Sequence, residues 1–516
     1  MNAAKPQAIL LGLVLALSAF PVLAQTSQPA DKIIGMYVHQ HWPYRHPYAA
    51  RTWTLEDWRG YVDGLHKLGY NTVLIWPVLE TMPNPLTDSD KASLDRVAKV
   101  IDMLHNEFGM KAYIALCPNV IADDAAAGQA RFEERHFFHC DLRVNPADQL
   151  AVERMMKWRE QLLRPLARMD GVAIIDSDPG CYPNATNQQF VMLMAEHRNV
   201  LDRLRPGIGL DYWMWVGWEA YGKYYATGDF KWGTPEEFAD ILARLAQLDP
   251  KPWGLGCGLN GMQHAQKAGL ADRAWNFPYG AIEGEPSWPL TQFGGHQAYN
   301  GGKAMAPRGV MGNAQTHCVQ LPNTFAFARG AQGKPVTEAD YVQFADELIA
   351  GKGAEIVEAW KVLNGQDAAA MRTEADKLER MEQQPLPTGP LSGLLFGSPK
   401  RFVHDLVLQL HYQAAFVTLS QAVAGGKQWP ALLAEYLTAL ETWFAQHGYN
   451  GYGVNATDVL LKLNAPEIND VFNPRLLATT PAGRIREKMY LDYELFIERL
   501  VAAIRKVLVR CPPPRT

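Results

Sequence analysis

The sequence predicts an α/β protein: a (β/α)8 TIM barrel followed by an all-α helical C-terminal domain. Eight short apolar runs alternate with helix-like stretches between Ile33 and His317, as in parallel strands joined by helices. Each run ends in polar or aromatic residues, and TIM barrels carry their chemistry at the C-terminal ends of their strands. After about Gly330 the strand signal stops, and apolar residues at helical spacing continue, which indicates a helical bundle.

The strands are predicted from their apolar runs, which are nearly continuous in the first five, as buried parallel strands require. The eight predicted strands are Ile33–Val38, Thr72–Trp76, Lys111–Leu116, Val172–Asp176, Ile208–Trp215, Trp253–Cys257, Ala274–Ile282 and Gly309–Thr316. Capping signals mark the helices between them: Thr54 with Asp57 three residues on is typical of a helix start, and Gly109 of a helix end. The glycine-rich stretch from Trp288 to Pro307 is predicted to be loop.

The helical domain is predicted from its own start and stop signals. Thr337 is a cap for a first helix, and a Pro/Gly-rich break covers residues 385–399. Three long helices are predicted after this break, over Lys400–Ala424, Trp429–His447 and Thr480–Val509.

The N-terminus is typical of a secretory signal. Lys5 gives a positive start, Ala8 to Phe20 are apolar, and a cut is plausible after Ala24. The apolar run is short for a membrane span of ~20 residues, although a membrane anchor is the alternative. We therefore expect a signal peptide over residues 1–24, a barrel over 31–330 and a helical domain over 331–516. The mature protein would be secreted or periplasmic, without stable membrane insertion.

Composition narrows the function classes. Apolar residues make up 48% of the chain and charged residues 20%, and the net charge is −5. No block of Lys or Arg marks a nucleic-acid surface, so no nucleic-acid partner is expected. Export permits disulfides; Cys140 and Cys181 could pair, with Cys117 as a competitor.

Four acids stand at or just after predicted strand ends. Asp176 ends strand four and Asp178 follows it, where alternation would point both side chains into one pocket. Close like charges push one pKa up, so that one acid keeps its proton. Glu283 and Glu285 follow strand seven, across the barrel mouth, and glycoside hydrolysis needs such pairs of carboxylates. The alternatives are a metal site or helix cap for the aspartates and a rim salt bridge for the glutamates.

Aromatic and polar residues near the strand ends would bind the substrate. Apolar sugar faces stack on flat rings, and ring N–H groups donate to hydroxyls. The predicted substrate-binding residues are His39, His41, Trp42, Trp76, Glu80, Trp213, Trp215, Trp218 and Asn313. For the tryptophans, core packing is the competing explanation.

The pair His39 and His41 has a second interpretation. An HxH after strand one is how metal-dependent amidohydrolase barrels begin. The supporting ligands of such barrels are missing here, because strand five ends in WMWVGWE and strand eight carries Asn313 and His317. We therefore interpret the two histidines as pocket donors and assign no metal ligands.

Several segments resemble known glycosidase families. Residues 35–77, GMYVHQHWPYRHPYAARTWTLEDWRGYVDGLHKLGYNTVLIWP, resemble the opening of retaining hexosaminidase barrels. FGGHQAYNGG and MAPRGVMGNAQ, within Trp288 to Ala331, and the later stretch Glu358-Ala359-Trp360 are similar to α-N-acetylglucosaminidases. α-Glucuronidase barrels are similar in outline. The resemblance covers about residues 33–365 and implies a barrel glycosidase. In hexosaminidases two neighbouring acids after strand four serve substrate-assisted catalysis. In this chain Ser177 stands between Asp176 and Asp178.

Together these patterns predict an exported glycoside hydrolase that acts on an oligo- or polysaccharide. Asp178 would be the general acid, and Asp176 would stabilise positive charge or position the substrate. Glu283 or Glu285 would be nucleophile, base or substrate clamp, and no cofactor is required. The alternatives are a carbohydrate-binding barrel without catalysis and a metal-dependent hydrolase that uses the HxH.

Overall fold

Eight parallel strands close into a barrel in the computed structural model. It describes residues 32–42, 44–135, 140, 142–227, 231–248, 253–284, 290–448, 457–472 and 496–513. The barrel strands are β1 (Ile33–His39), β2 (Thr72–Trp76), β3 (Lys111–Leu116), β6 (Gly171–Ile175), β7 (Gly209–Met214), β8 (Trp253–Cys257), β9 (Ala274–Asn276) and β10 (Gly309–Ala314). Their order around the barrel is β1-β10-β9-β8-β7-β6-β3-β2. In β1, Tyr37 lies opposite both Leu74 of β2 and Asn313 of β10, which closes the ring.

The predicted fold class is therefore confirmed, with corrections at the strand ends. β9 ends at Asn276, six residues before the predicted end, because the chain turns at Gly280, whose φ is +80°. β6 ends at Ile175, so Asp176 and Asp178 both lie beyond the strand. Two short strands, β4 (Val120–Ile121) and β5 (Leu142–Arg143), form an antiparallel ribbon outside the barrel.

Helices cover the barrel and continue after it. Those of the barrel region are α1 (Leu55–Leu68), α2 (Asp88–Phe108), α3 (Asp124–Ala127), α4 (Gln149–Leu163), α5 (Asn187–Leu204), α6 (Trp218–Thr227), α7 (Pro235–Leu245), α8 (Leu259–Lys267), α9 (His296–Lys303) and α10 (Leu321–Ala331). Those that follow are α11 (Glu338–Leu348), α12 (Gly353–Leu363), α13 (Ala368–Glu382), α14 (Pro399–Ala424), α15 (Pro430–His447), α16 (Thr457–Leu461), α17 (Pro466–Phe472) and α18 (Phe496–Arg510). The predicted capping box at Thr54 and Asp57 is present, and so is the cap at Thr337.

The prediction of loop over residues 288–307 is wrong in part, because α9 lies within that stretch. Its glycines allow close helix packing. A Cβ on Gly302 would lie 2.0 Å from the carbonyl oxygen of Phe327 in α10, and one on Gly330 would lie 2.0 Å from that of Tyr299. Tertiary contact therefore overrides the poor helix propensity of glycine.

Large side chains fill the barrel interior, and two glycines of β8 make room for them. A Cβ on Gly254 would lie 1.8 Å from the Arg308 guanidinium, and one on Gly256 would lie 2.2 Å from the Trp275 ring of the neighbouring strand β9. The filled interior therefore requires glycine at both positions. The barrel is thus a packed core.

The helices beyond residue 330 share the barrel's core. One continuous set of buried apolar residues runs from Ile33 in β1 to Val417 in α14. A second cluster joins Trp42, Tyr44 and Tyr48, which follow β1, to α15 and α18. The helical region therefore packs against the barrel and shares its apolar core.

The six cysteines are free, so the proposed pairing of Cys140 with Cys181 is not present. The Sγ of Cys181 instead donates a hydrogen bond to the carbonyl oxygen of Trp218 at 2.8 Å. Within the described ranges, no helix has the length and apolar character that crossing a membrane demands.

Replacing Gly256 by alanine tests the packing inside the barrel. The new methyl group would overlap the Trp275 ring, so we expect a loss of roughly 1–3 kcal/mol in the free energy of unfolding, measured by urea denaturation. Gly258→Ala is the matched control, since its Cβ would meet nothing closer than 3.6 Å. Equal losses in the two variants would contradict this account of the interior.

Candidate active site

A shallow pocket of about 20 Å³ lies at the C-terminal ends of the barrel strands. Its wall is formed by Tyr37, His39, Ile175, Asp178, Trp213, Trp215, Phe277, Tyr279, Asn313 and Gln315. Aromatic rings dominate this wall. Asp178 is its sole carboxylate among the residues that the structure describes.

The environment of Asp178 favours its protonated form. Burial, and after it the charge of the nearby Asp176, raises the pKa of this carboxyl to about 7. The Sγ of Cys117 donates a hydrogen bond to the Asp178 carbonyl oxygen at 3.2 Å, which helps to fix the backbone there. Asp178 can therefore carry a proton at neutral pH and face the pocket with it, as a general acid must.

Asp176 does not line the pocket. Its Oδ1 accepts hydrogen bonds from the Ser177 hydroxyl at 2.9 Å and the Val216 N–H at 3.2 Å. Its Oδ2 accepts from the Tyr212 hydroxyl at 3.0 Å and the Gly217 N–H at 2.9 Å. The expectation that strand alternation points both aspartates into one pocket does not hold, because β6 ends before either of them. Burial raises the pKa of Asp176, and the four hydrogen bonds oppose that rise.

Glu283 is likewise buried away from the pocket. Its Oε2 accepts from the N–H groups of Gln315 and Thr316, both at 2.7 Å, and its Oε1 accepts from the Thr316 hydroxyl at 2.6 Å. Burial raises the pKa of this carboxyl. Glu283 thus anchors the segment after β10. Its predicted partner Glu285 lies outside the described residues.

Glu80 joins the ends of β2 and β3. Its Oε1 accepts from the Cys117 N–H at 2.5 Å, and its Oε2 from the Trp76 indole at 3.3 Å. Burial raises the pKa of Glu80, and the charge of Arg159 opposes that effect. The described contacts of Glu80 are therefore with the barrel rather than with the pocket.

The two histidines of the HxH bind each other. His39 Nε2 lies 2.9 Å from Asn313 Oδ1, and its Nδ1 lies 3.1 Å from Nδ1 of His41. Burial lowers the pKa of His39 to about 3, so the ring is neutral. With Asn313 Oδ1 as acceptor, Nε2 carries the proton, and Nδ1 accepts from His41. Both ring nitrogens of His39 therefore form hydrogen bonds within the protein.

The predicted tryptophans have different surroundings. Trp213 and Trp215 line the pocket together, as their spacing in predicted strand five suggests, although β7 ends at Met214 and Trp215 follows it. Trp76 does not line the pocket, and its ring centroid lies 5.1 Å from that of His41. The Trp42 indole donates to the Gln315 side chain. Trp218 is buried against Phe190 of α5, with centroids 5.3 Å apart, so core packing explains it.

The sequence analysis missed two aromatic residues at the barrel mouth. Trp232 and Tyr279 are 63% and 42% exposed. Both pack edge-on against Trp215, with centroid distances of 6.3 Å and 5.1 Å. One sequence feature could have identified Trp232. It is a tryptophan within the short polar stretch GDFKWGTP, between a predicted strand and a predicted helix.

A further buried acid, Glu237, contacts the start of α6, which directly follows the loop that carries Trp215. Glu237 of α7 accepts the Ala220 N–H at 3.0 Å. A Cβ on Gly217, whose φ is +92°, would lie 2.4 Å from Oε2 of Glu237. Burial raises the pKa of Glu237 to about 7, and the charge of Asp176 adds to that effect.

Among the residues that the structure describes, no group of three or more His, Cys, Asp and Glu side chains is placed to hold a metal ion. The HxH pair and Asn313 form hydrogen bonds with one another instead.

No family model matches the chain, and no curated protein matches it. Several solved structures are similar, and they are glycoside hydrolases. A GH138 enzyme targeting pectin rhamnogalacturonan II is 9% identical over 80% of this chain and 62% of its own, with a TM-score of 0.45. A mutant O-GlcNAc hydrolase from Thermobaculum terrenum is 8% identical over 93% and 96%, with a TM-score of 0.43. The GH20 β-N-acetylhexosaminidase from Streptomyces coelicolor A3(2) is 10% identical over 58% and 64%, with a TM-score of 0.36. The chain thus spans less than two thirds of the first and third of these proteins.

The raised pKa of Asp178 makes the stability of the protein depend on pH. Since the folded-state pKa is about 7 and the unfolded one about 4, the protonated carboxyl contributes fully below pH 4. That contribution is lost as pH rises through 7. Asparagine cannot ionise, so Asp178→Asn should match wild type at pH 4 and exceed it by on the order of 4 kcal/mol at pH 8.

Urea unfolding at both pH values measures this difference. Asp95→Asn, at an exposed site on α2, is the control and should show no such trend. A constant difference between Asp178→Asn and wild type from pH 4 to 8 would contradict the assignment.

Proposed function

We propose that this protein hydrolyses glycosidic bonds, with Asp178 as the general acid. The observation that carries the proposal is the carboxyl of Asp178, which has a pKa of about 7 and lies in an aromatic pocket at the catalytic end of a barrel. Cleavage of a glycosidic bond requires a proton on the leaving oxygen. An acid with its pKa near neutrality gives that proton efficiently at neutral pH.

The pocket wall supports a sugar as the substrate. Trp213 and Phe277 offer flat apolar surfaces against which the C–H face of a pyranose ring can stack. A volume of about 20 Å³ is smaller than such a ring, so the proposal requires the pocket to widen when substrate binds. Tyr279, which lines the pocket and is 42% exposed, is the side chain whose movement would widen it.

The second group that hydrolysis needs is proposed to be Glu285. Asp176 and Glu283 are poor candidates, because hydrogen bonds from the chain itself occupy their carboxylate oxygens. We assign Asp176 a positioning role instead. Its charge raises the pKa of Asp178, and its hydrogen bonds hold the loop after β7.

We further propose that the protein is exported, to the periplasm or the medium, after cleavage at Ala24. The support is the sequence Met1 to Ala24, with its positive start and apolar run. N-terminal sequencing of the protein from a periplasmic or culture extract checks this, and an intact N-terminus in the cell extract would contradict it.

Turnover by wild type and Asp178→Asn on a broad panel of glycans and chromogenic glycosides tests the activity. We expect wild type to hydrolyse at least one glycoside, and the folded variant to lose about 100-fold or more in kcat, because a general acid contributes roughly that factor. The kcat/KM of wild type should fall as pH rises above 7, since only protonated Asp178 is active.

Glu219→Gln is the matched control. Glu219 lies on α6, pairs with Lys223 and lines a separate cleft, so its variant should keep wild-type turnover. Turnover that survives Asp178→Asn would remove Asp178 from the acid role. Saccharide binding without turnover by wild type would favour a carbohydrate-binding barrel, and loss of turnover on chelation would favour a metal-dependent hydrolase.

A further inference from the structure

Two aromatic side chains at the barrel mouth are exposed although most large apolar residues are buried. Among the residues that the structure describes, the large hydrophobic side chains that are exposed are Leu142, Leu150, Met192, Trp232, Tyr279 and Val509. The two aromatic members of this set both lie against Trp215. Clustered exposed apolar surface marks a binding site more often than scattered single residues do.

These rings are continuous with the pocket that contains Asp178. Trp215 and Tyr279 line that pocket, and Trp232 adjoins Trp215. Trp232 and Tyr279 stand at 77° and 68° to the plane of Trp215. The three side chains therefore form an aromatic corner, defined as Trp215, Trp232 and Tyr279, directly outside the pocket.

The backbone that carries the corner is fixed by hydrogen bonds. The Gly233 N–H, next to Trp232, donates to the carbonyl oxygen of Val216, next to Trp215, at 2.5 Å. A Cβ on Gly233 would lie 2.6 Å from that oxygen. Asp176 accepts two backbone N–H groups of the same loop, and Glu237 accepts the Ala220 N–H in the first turn of α6, which follows that loop. Both tryptophans are thus placed before any ligand arrives, which lowers the entropy lost on binding.

We infer that the aromatic corner binds a second sugar ring, next to the one held at Asp178. The ligand is a saccharide of at least two linked pyranose units with mostly equatorial hydroxyls. Such rings present flat C–H faces that stack on aromatic side chains. The inference rests on the proposed function and adds to it that the substrate is a chain rather than a single glycoside.

Isothermal titration of the Asp178→Asn protein with cellopentaose, chitopentaose and xylopentaose tests the inference. The Asn background prevents turnover during the titration. We expect at least one pentamer to bind, and the added change Trp232→Ala to weaken that binding about tenfold, a typical effect of losing one stacked ring. Trp232→Phe keeps a ring and should stay within about threefold.

Trp429→Ala is the control for loss of a tryptophan, because Trp429 lies before α15 in the helical region. It should not change the affinity, and circular dichroism checks that all variants are folded. Binding of no pentamer, or equal binding by the Trp232→Ala protein, overturns the aromatic corner as a sugar site. Hydrolysis of a simple glycoside by wild type would then still support the proposed function. Pentamer binding that depends on Trp232 in a protein without hydrolytic activity would overturn the proposed function and keep the corner.

Discussion

One buried carboxylate, that of Asp176, organises the mouth of this barrel. Two hydroxyls and two backbone N–H groups donate to its oxygens, and the N–H groups belong to the loop after β7. Leaving a buried donor unpaired costs roughly 1–3 kcal/mol, so that loop is tightly bound to the end of β6. Burial is the main cause of the raised pKa of Asp178, two residues on, and the charge of Asp176 adds to it. Asp176 therefore both supports the loop and contributes to the proton affinity of its neighbour.

The acids at the strand ends divide into two kinds. Asp176, Glu283 and Glu80 each accept backbone N–H groups from a neighbouring strand end and bury their charge. Buried carboxylates need such donors to remain in place. Asp178 faces the pocket instead. Acids near a strand end can thus serve to fix the barrel mouth, as Asp176, Glu283 and Glu80 do through backbone N–H groups.

The strands could be predicted well from the sequence because buried parallel strands are short apolar runs. The prediction failed where buried apolar residues continue beyond the end of a strand. Phe277 and Ile282 are buried although they lie after β9, so this apolar run is longer than the strand it contains. α9 was missed because its glycines serve packing against α10, which no local pattern reveals. Asp178 could be found from its place after a strand. The inward turn of Asp176 and the exposure of Trp232 depend on contacts between distant segments.

The barrel interior, filled by Trp275 and Arg308 against the glycines of β8, separates two kinds of sequence change. Residues inside the barrel are constrained as interlocking pairs, so a change in one must be matched by its partner. The exposed side chains at the mouth, Trp232 and Tyr279, face solvent on one side and lack this reciprocal requirement. Substitutions there can therefore change ligand preference without any change to the barrel interior.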